Sequence, residues 1–221
     1  MDMQRKTSTD PYGAAEVTGM NEMPLEPDSP DTDPPSSAQG SSVQWQTDGG
    51  SHLDMVIDQH CWPDDVVHAA RPRLAMATDI ACETFDWPRL EIGALFCGDD
   101  RIRDLNLQFR GKDSPTNVLS FPSDDDGAMR DPDVTDPVPL APGEIAIAYE
   151  TLHREAVQES KTVDDHLVHL WVHGLLHLMG HDHEADEEAD IMEAGEIRVL
   201  ARLGIANPYA DFREDITGET G

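Results

Sequence analysis

Three histidines in the C-terminal third of the chain stand at spacings that suit one metal ion. In HGLLHLMGHDH, His173 and His177 are four residues apart and His183 follows. The surrounding Leu167, Val168, Leu170, Trp171, Leu175, Leu176 and Leu178 predict a strongly apolar helix over roughly Asp164 to Met179. At about 100° and 1.5 Å per residue, a four-residue step puts both imidazoles on one face, about one turn apart. Gly180 ends this helix and lets the chain turn back, because glycine enters the left-handed region without steric cost. That return brings His183 toward the same point. Three imidazoles leave a fourth position open, the arrangement of a catalytic rather than a structural zinc. A cluster of satisfied core histidines is the alternative reading. His169, one further turn back, suits a supporting or structural part better than a ligand's, and His181 and Asp182 could face the metal or solvent.

The spacing is shared with the metzincin peptidase motif H-E-x-x-H-x-x-G-x-x-H, with one chemical difference. Gly174 stands where those enzymes carry their general-base glutamate, so peptide hydrolysis by the usual route is not expected. A second cluster is basic: Arg110 and Lys112 close a predicted helix, with Arg101 and Arg103 upstream. Arginine can hold a phosphate through two parallel hydrogen bonds and stabilise charge that develops in a transition state. A solvated helix face is the bland alternative. Thr116, Asn117 and Ser120 read as residues that order the following loop and strand.

The elements that must position these groups follow from periodicity. LDMVID (53–58) alternates as a half-buried strand, and Pro63 opens an apolar-periodic helix with Pro72 as an expected break or kink. LEIGALFC (90–97) is a strand. Asp99 and Asp100 suit the start of a helix whose Ile102, Leu105 and Phe109 share a face, and Gly111 ends it. NVLSF (117–121) and EIAIAY (144–149) are strands flanking a Pro/Asp-rich loop over 123–142, and a last helix runs roughly from Glu184 to Leu203. The order is β-α-β-α-β-β-α-α-α, an α+β layer architecture.

Composition sets the limits. Of 221 residues, 15 are Lys or Arg and 45 are Asp or Glu, a formal net charge of −30. Whole-molecule charge would repel a phosphate backbone at long range, which excludes a generic basic nucleic-acid binder but not RNA chemistry at one local site. Residues 1–50, with PLEPDSPDTDPPSSAQGSS, are too rich in Pro, Ser and Asp to bury a core and read as a disordered acidic tail. Residues 51–206 form the expected domain, and 207–221 a flexible C-terminal tail. No run of 18 apolar residues appears, and Cys61, Cys82 and Cys97 form no CxxC pair, so the reading is a cytoplasmic protein with reduced thiols.

Two long blocks, LNLQFRGKDSPTNVLSFP (105–122) and HLWVHGLLHLMGHDH (169–183), with the shorter GEIAIA (143–148), resemble the YbeY family of bacterial rRNA-maturation and ribosome quality-control endoribonucleases. The resemblance spans about residues 53–205. It implies a zincin-like α+β fold, a small mixed β-sheet packed with helices and a metal site on a C-terminal helix. It also implies one Zn2+ per chain held by His173, His177 and His183, with Arg110 as the catalytic arginine. The activity implied is single-strand-specific RNA cleavage in 16S rRNA 3′-end maturation and ribosome quality control. The partners implied are single-stranded rRNA and ribosomal small-subunit proteins or assembly factors, with no DNA and no membrane. The family commonly has tyrosine where this chain has His181 and aspartate where it has Glu144, and the 123–142 loop is long and acidic for it. Glu144, His181 and Asp182 are the candidate general bases. A ribosome-associated binding factor with a structural zinc and a metal hydrolase of another substrate stay open as alternatives.

Overall fold

Alternating burial builds the sheet. The computed structural model describes residues 40–123, 139–181 and 186–210. In β2 (His52–Asp58) Leu53, Met55 and Ile57 are buried while His52, Asp54 and Val56 face outward. β1 (Gly40–Gln46) runs antiparallel to it, from Gly40 opposite Asp58 to Gln46 opposite His52. β3 (Leu90–Cys97) lies parallel to β2 and to β5 (Leu140–Ala148), and β4 (Val118–Pro122) pairs antiparallel with β5. The strand order is β1-β2-β3-β5-β4, a mixed sheet in an α+β fold.

β1 lies inside residues 1–50, the expected disordered tail, and corrects its end. A Ser/Gln-rich composition hides a strand whose Val43 and Trp45 stand opposite Met55 and Leu53 and so share their face. The turn that follows is pinned to the neighbouring helix: Asp79 accepts from Thr47 Oγ1 at 2.5 Å and from the Gly49 amide at 2.8 Å. Residues 1–39 lie outside the described residues, as do 124–138 of the expected loop; β5 starts early enough to take Leu140 to Pro142 from that loop.

Helices α1 (Asp64–Phe85), α4 (Val163–Leu178) and α5 (Asp186–Arg202) share the main core with one face of the sheet. Leu74, Trp171 and Leu175 meet Leu53, Ile92, Ile145 and Ile147 there. Pro72 does not break α1. It lacks the N–H that would reach the carbonyl of His68, but both residues lie on the exposed side, where water can take the freed carbonyl, while Ala70, Leu74 and Ala77 hold the buried side. α2 (Asp99–Arg110) covers the opposite face, with Ile102 and Leu105 against Leu119, Ala146 and Ala148. Phe109 does not join them: it is 58% exposed and meets Phe121 edge-on, 5.1 Å between ring centroids.

The first turns of α2 and α3 (Tyr149–Gln158) cap each other. The Asp99 amide donates to Glu150 Oε2 at 2.9 Å, and Asp99 Oδ1 accepts from the Thr151 amide at 3.1 Å and its hydroxyl at 2.7 Å. This exchange replaces the expected capping of α2 by its own side chains. Because one carboxylate serves two donors of the other helix, Asp99→Ala is expected to lower the unfolding free energy by about 1–2 kcal/mol in urea titrations. A loss below about 0.3 kcal/mol would show that the exchange contributes nothing.

Candidate metal centre

α4 is apolar nearly all round, so packing fixes how it lies. Thr162 caps its N-terminus by accepting from the Asp165 amide at 3.0 Å, and Arg73 of α1 pairs with Asp164 and, at 2.9 Å, with Asp165. One side docks on α1, where Trp171 Nε1 donates to Thr78 Oγ1 at 3.0 Å. Another side docks on the sheet at Gly174. A Cβ there would stand 2.9 Å from Ile145 Cδ1, and Ser120 Oγ donates to the Gly174 carbonyl at 3.3 Å. The position that carries a glutamate in the peptidase motif is therefore a point of close helix–sheet contact in this chain, where a side chain would have to displace Ile145.

The remaining side of α4 carries a polar stripe: His166, His169, His173 and His177. His173 and His177 bring their Nε2 atoms to 3.1 Å, with ring centroids 4.6 Å apart. Two nitrogens bound to one tetrahedral ion at about 2.0–2.1 Å stand roughly 3.4 Å from each other, so this pair is spaced close to what zinc requires. Each Nδ1 is already engaged. His173 Nδ1 lies 2.8 Å from Glu196 Oε1, and His177 Nδ1 lies 3.0 Å from the carbonyl of His181. Both partners are acceptors, so each Nδ1 carries the proton and each Nε2 presents a lone pair toward the shared point.

Gly180 makes the expected turn. Its φ of 86° is left-handed, and the His181 amide donates to the Leu176 carbonyl at 3.0 Å, closing the helix end. The His181 carbonyl thereby reaches His177, while its ring packs against Phe85 and Trp87 at 5.7 and 6.3 Å. His183 and Asp182 lie outside the described residues. Among the described residues no three His, Cys, Asp or Glu side chains gather as a metal-binding group.

Glu196 of α5 was not legible as a site residue, although a signal existed. It falls on the apolar stripe Met192, Val199 and Leu200, where an acid demands a partner. It is 1% exposed. His169 Nε2 reaches its Oε2 at 2.9 Å, and the Tyr209 hydroxyl donates to the same oxygen. Burial alone would raise its pKa, but the hydrogen bonds from His169 and His173 hold it down, to about 2. Tyr209 was expected in a flexible tail; it is instead half-buried against His169, ring centroids 5.8 Å apart.

A second relay ties the Arg110 block to the same helix. Asn117 Nδ2 donates to Glu155 Oε2 at 2.9 Å, and His166 Nε2 meets that oxygen at 3.0 Å. Burial pushes the Glu155 carboxyl up, but hydrogen bonds from His166 and Asn117 leave it below the ordinary glutamate range. A carboxylate with a depressed folded-state pKa contributes stability above its unfolded pKa and loses it as pH falls through the folded value. The stability gap between the parent chain and Glu155→Gln should therefore be widest at neutral pH and shrink as pH falls below about 4.3. Parallel pH–stability curves for the two would remove the relay as a source of stability.

His166, His169 and His173 border an open cavity of about 440 Å³ with Asn117, Lys161 and Tyr209. Arg110 stands apart from it. It is the exposed last residue of α2, the helix whose body packs on the other face of the sheet, and makes no side-chain hydrogen bond or ion pair among the described residues. The loop 111–117 leads from it to Asn117, whose side chain reaches Glu155 on the histidine side. Asn106 Nδ2 holds this loop through the Ser114 carbonyl at 2.8 Å, and Arg103 through Asp113 at 2.6 Å. Glu144, one candidate base, also faces away from α4. It stands beside Gly93 on the α2 side, while the next residue, Ile145, meets Gly174.

The family model for endoribonuclease YbeY matches residues 64–204. Endoribonuclease YbeY of Rhodopseudomonas palustris strain HaA2 is 47% identical over 161 residues, covering 72% of this chain and 81% of that protein. Endoribonuclease YbeY of Bradyrhizobium sp. strain BTAi1 is 47% identical over 163 residues, covering 72% and 92%. A solution structure of a Thermotoga maritima protein, TM1509, aligns over 71% of this chain and 89% of its own, with 23% identity and a TM-score of 0.42.

Proposed function

The chain belongs to the endoribonuclease YbeY family, and on that premise we propose that it is a zinc-dependent endoribonuclease that cuts single-stranded RNA. The observation that carries the metal half of this reading is the His173–His177 pair, with both Nε2 atoms converging at 3.1 Å and both Nδ1 atoms anchored to acceptors. His183 would supply the third ligand. When bound, zinc would serve as a Lewis acid for a phosphate oxygen and lower the pKa of its bound water toward about 7.

The chain's own groups would do the rest. Glu196 and the His181 carbonyl keep the two rings in the tautomer with its proton on Nδ1 and its Nε2 lone pair aimed at the shared point. Arg110 would hold the scissile phosphate through paired hydrogen bonds and offset the charge that grows on it. With Glu144 on the far face, Asp182 and His181 are the remaining candidate bases. The zincin-like relationship, action in 16S rRNA 3′-end maturation and ribosome quality control, and a cytoplasmic setting with small-subunit proteins or assembly factors complete the proposal. No helix among the described residues is long and apolar enough to cross a membrane.

One observation favours a second reading, a ribosome-associated binding factor with a structural zinc: the net charge of −30, which repels free RNA and suits docking on basic proteins. The two readings separate in one assay. The zinc-loaded chain is incubated with an rRNA 3′-end fragment, either single-stranded or annealed to its complement, from about 0.05 to about 1 M KCl. Cleavage of the single strand alone is expected. No cleavage at any salt by fully loaded protein would favour the binding factor.

A further inference from the structure

We infer that Tyr209 is a positioning residue of the metal centre, acting through Glu196 on His173. This rests on the zinc reading above. The segment Asn207–Tyr209 lies beyond residue 204, where the family match ends. It is nonetheless built into the site: the Tyr209 amide donates to Asn207 Oδ1 at 2.9 Å, and its ring stands edge-on to His169. Its hydroxyl donates to Glu196 Oε2, the oxygen His169 also reaches, while Oε1 is left to His173 Nδ1. The Glu196 carboxylate is 1% exposed. Its orientation is set by its donors, and two of the three fix Oε2. Fixing Oε2 fixes where Oε1 lies, and Oε1 sets the angle of the His173 ring and hence the direction of its Nε2. The phenol must be the donor, since an ionised carboxylate offers only lone pairs. Losing it leaves one oxygen with a single partner and the ring with a looser anchor.

Tyr209→Phe removes the hydroxyl and keeps the ring. Partners of this kind are worth about 10–100-fold in metal affinity. The variant is therefore expected to bind zinc about 10–100-fold more weakly in competition with a chromophoric chelator, while its metal-free form melts within about 4 °C of the parent. Affinity within twofold of the parent's overturns the inference. So does weaker binding accompanied by collapse of the metal-free melting temperature, which would assign Tyr209 to the fold. A parent chain that binds no stoichiometric zinc fails differently: it removes the metal reading itself, and the positioning role with it.

Discussion

His177→Ala is expected to abolish both tight zinc binding and RNA cleavage. Zinc sites in small domains are worth about 10–16 kcal/mol in all, so one ligand among three or four carries roughly 3–5 kcal/mol, or about 10²–10⁴ in affinity. His177 also cannot be replaced from within the described site. His166 and His169 have committed their Nε2 atoms to Glu155 and Glu196, and His173 is already used. The fold should tolerate the change. His177 lies at the C-terminal end of α4, and its loss removes its contacts with His173 and the His181 carbonyl while leaving Leu175, Leu176 and Leu178 in the core. Zinc content and cleavage are to be measured on the same preparation. A variant that cleaves within tenfold of the parent would show that the histidine pair is not the reaction centre.

Arg110→Ala separates the two halves of the proposal, since it should cost cleavage and spare the metal. Removing one electrostatic donor from a transition state costs about 10²–10³ in rate, and the same is expected of a phosphate clamp. Arg110 touches neither His173 nor His177, so zinc affinity should stay within twofold. Its exposure and lack of partners among the described residues make a stability loss small, because surface substitutions of this kind rarely exceed about 0.5 kcal/mol. Arg110→Lys should recover only part of the rate, since an ammonium cannot form the paired hydrogen bonds of a guanidinium. Unchanged cleavage in Arg110→Ala would remove this residue from the mechanism and leave its place on α2 as a solvated helix end.

What could be read from the sequence was what local periodicity controls. The alternation of LDMVID and LEIGALFC located β2 and β3, and the four-residue step placed His173 and His177 on one face. What could not be read depends on partners distant in the chain. β1 looks like a Ser/Gln-rich tail until Val43 and Trp45 are paired with β2. Pro72 reads as a break until the exposed side of α1 is known. Phe109 follows Ile102 and Leu105 in spacing, yet only the position of α2 on the sheet leaves it outside the core. Glu196 stands 23 residues after His173 and becomes a site residue only when α5 packs on α4. Tyr209 follows a helix-ending glycine, where a tail is the natural expectation, and its role exists only through the buried carboxylate it meets.

The most direct measurement is cleavage of a single-stranded rRNA fragment by one preparation in three states: as purified with its zinc counted, after dialysis against a chelator, and after zinc is returned in stoichiometric amount. One zinc per chain, loss of cleavage on dialysis and recovery on return are the expected results. Undiminished cleavage by the metal-free chain would contradict the central claim, that the histidine cluster on α4 acts by holding a metal ion against RNA.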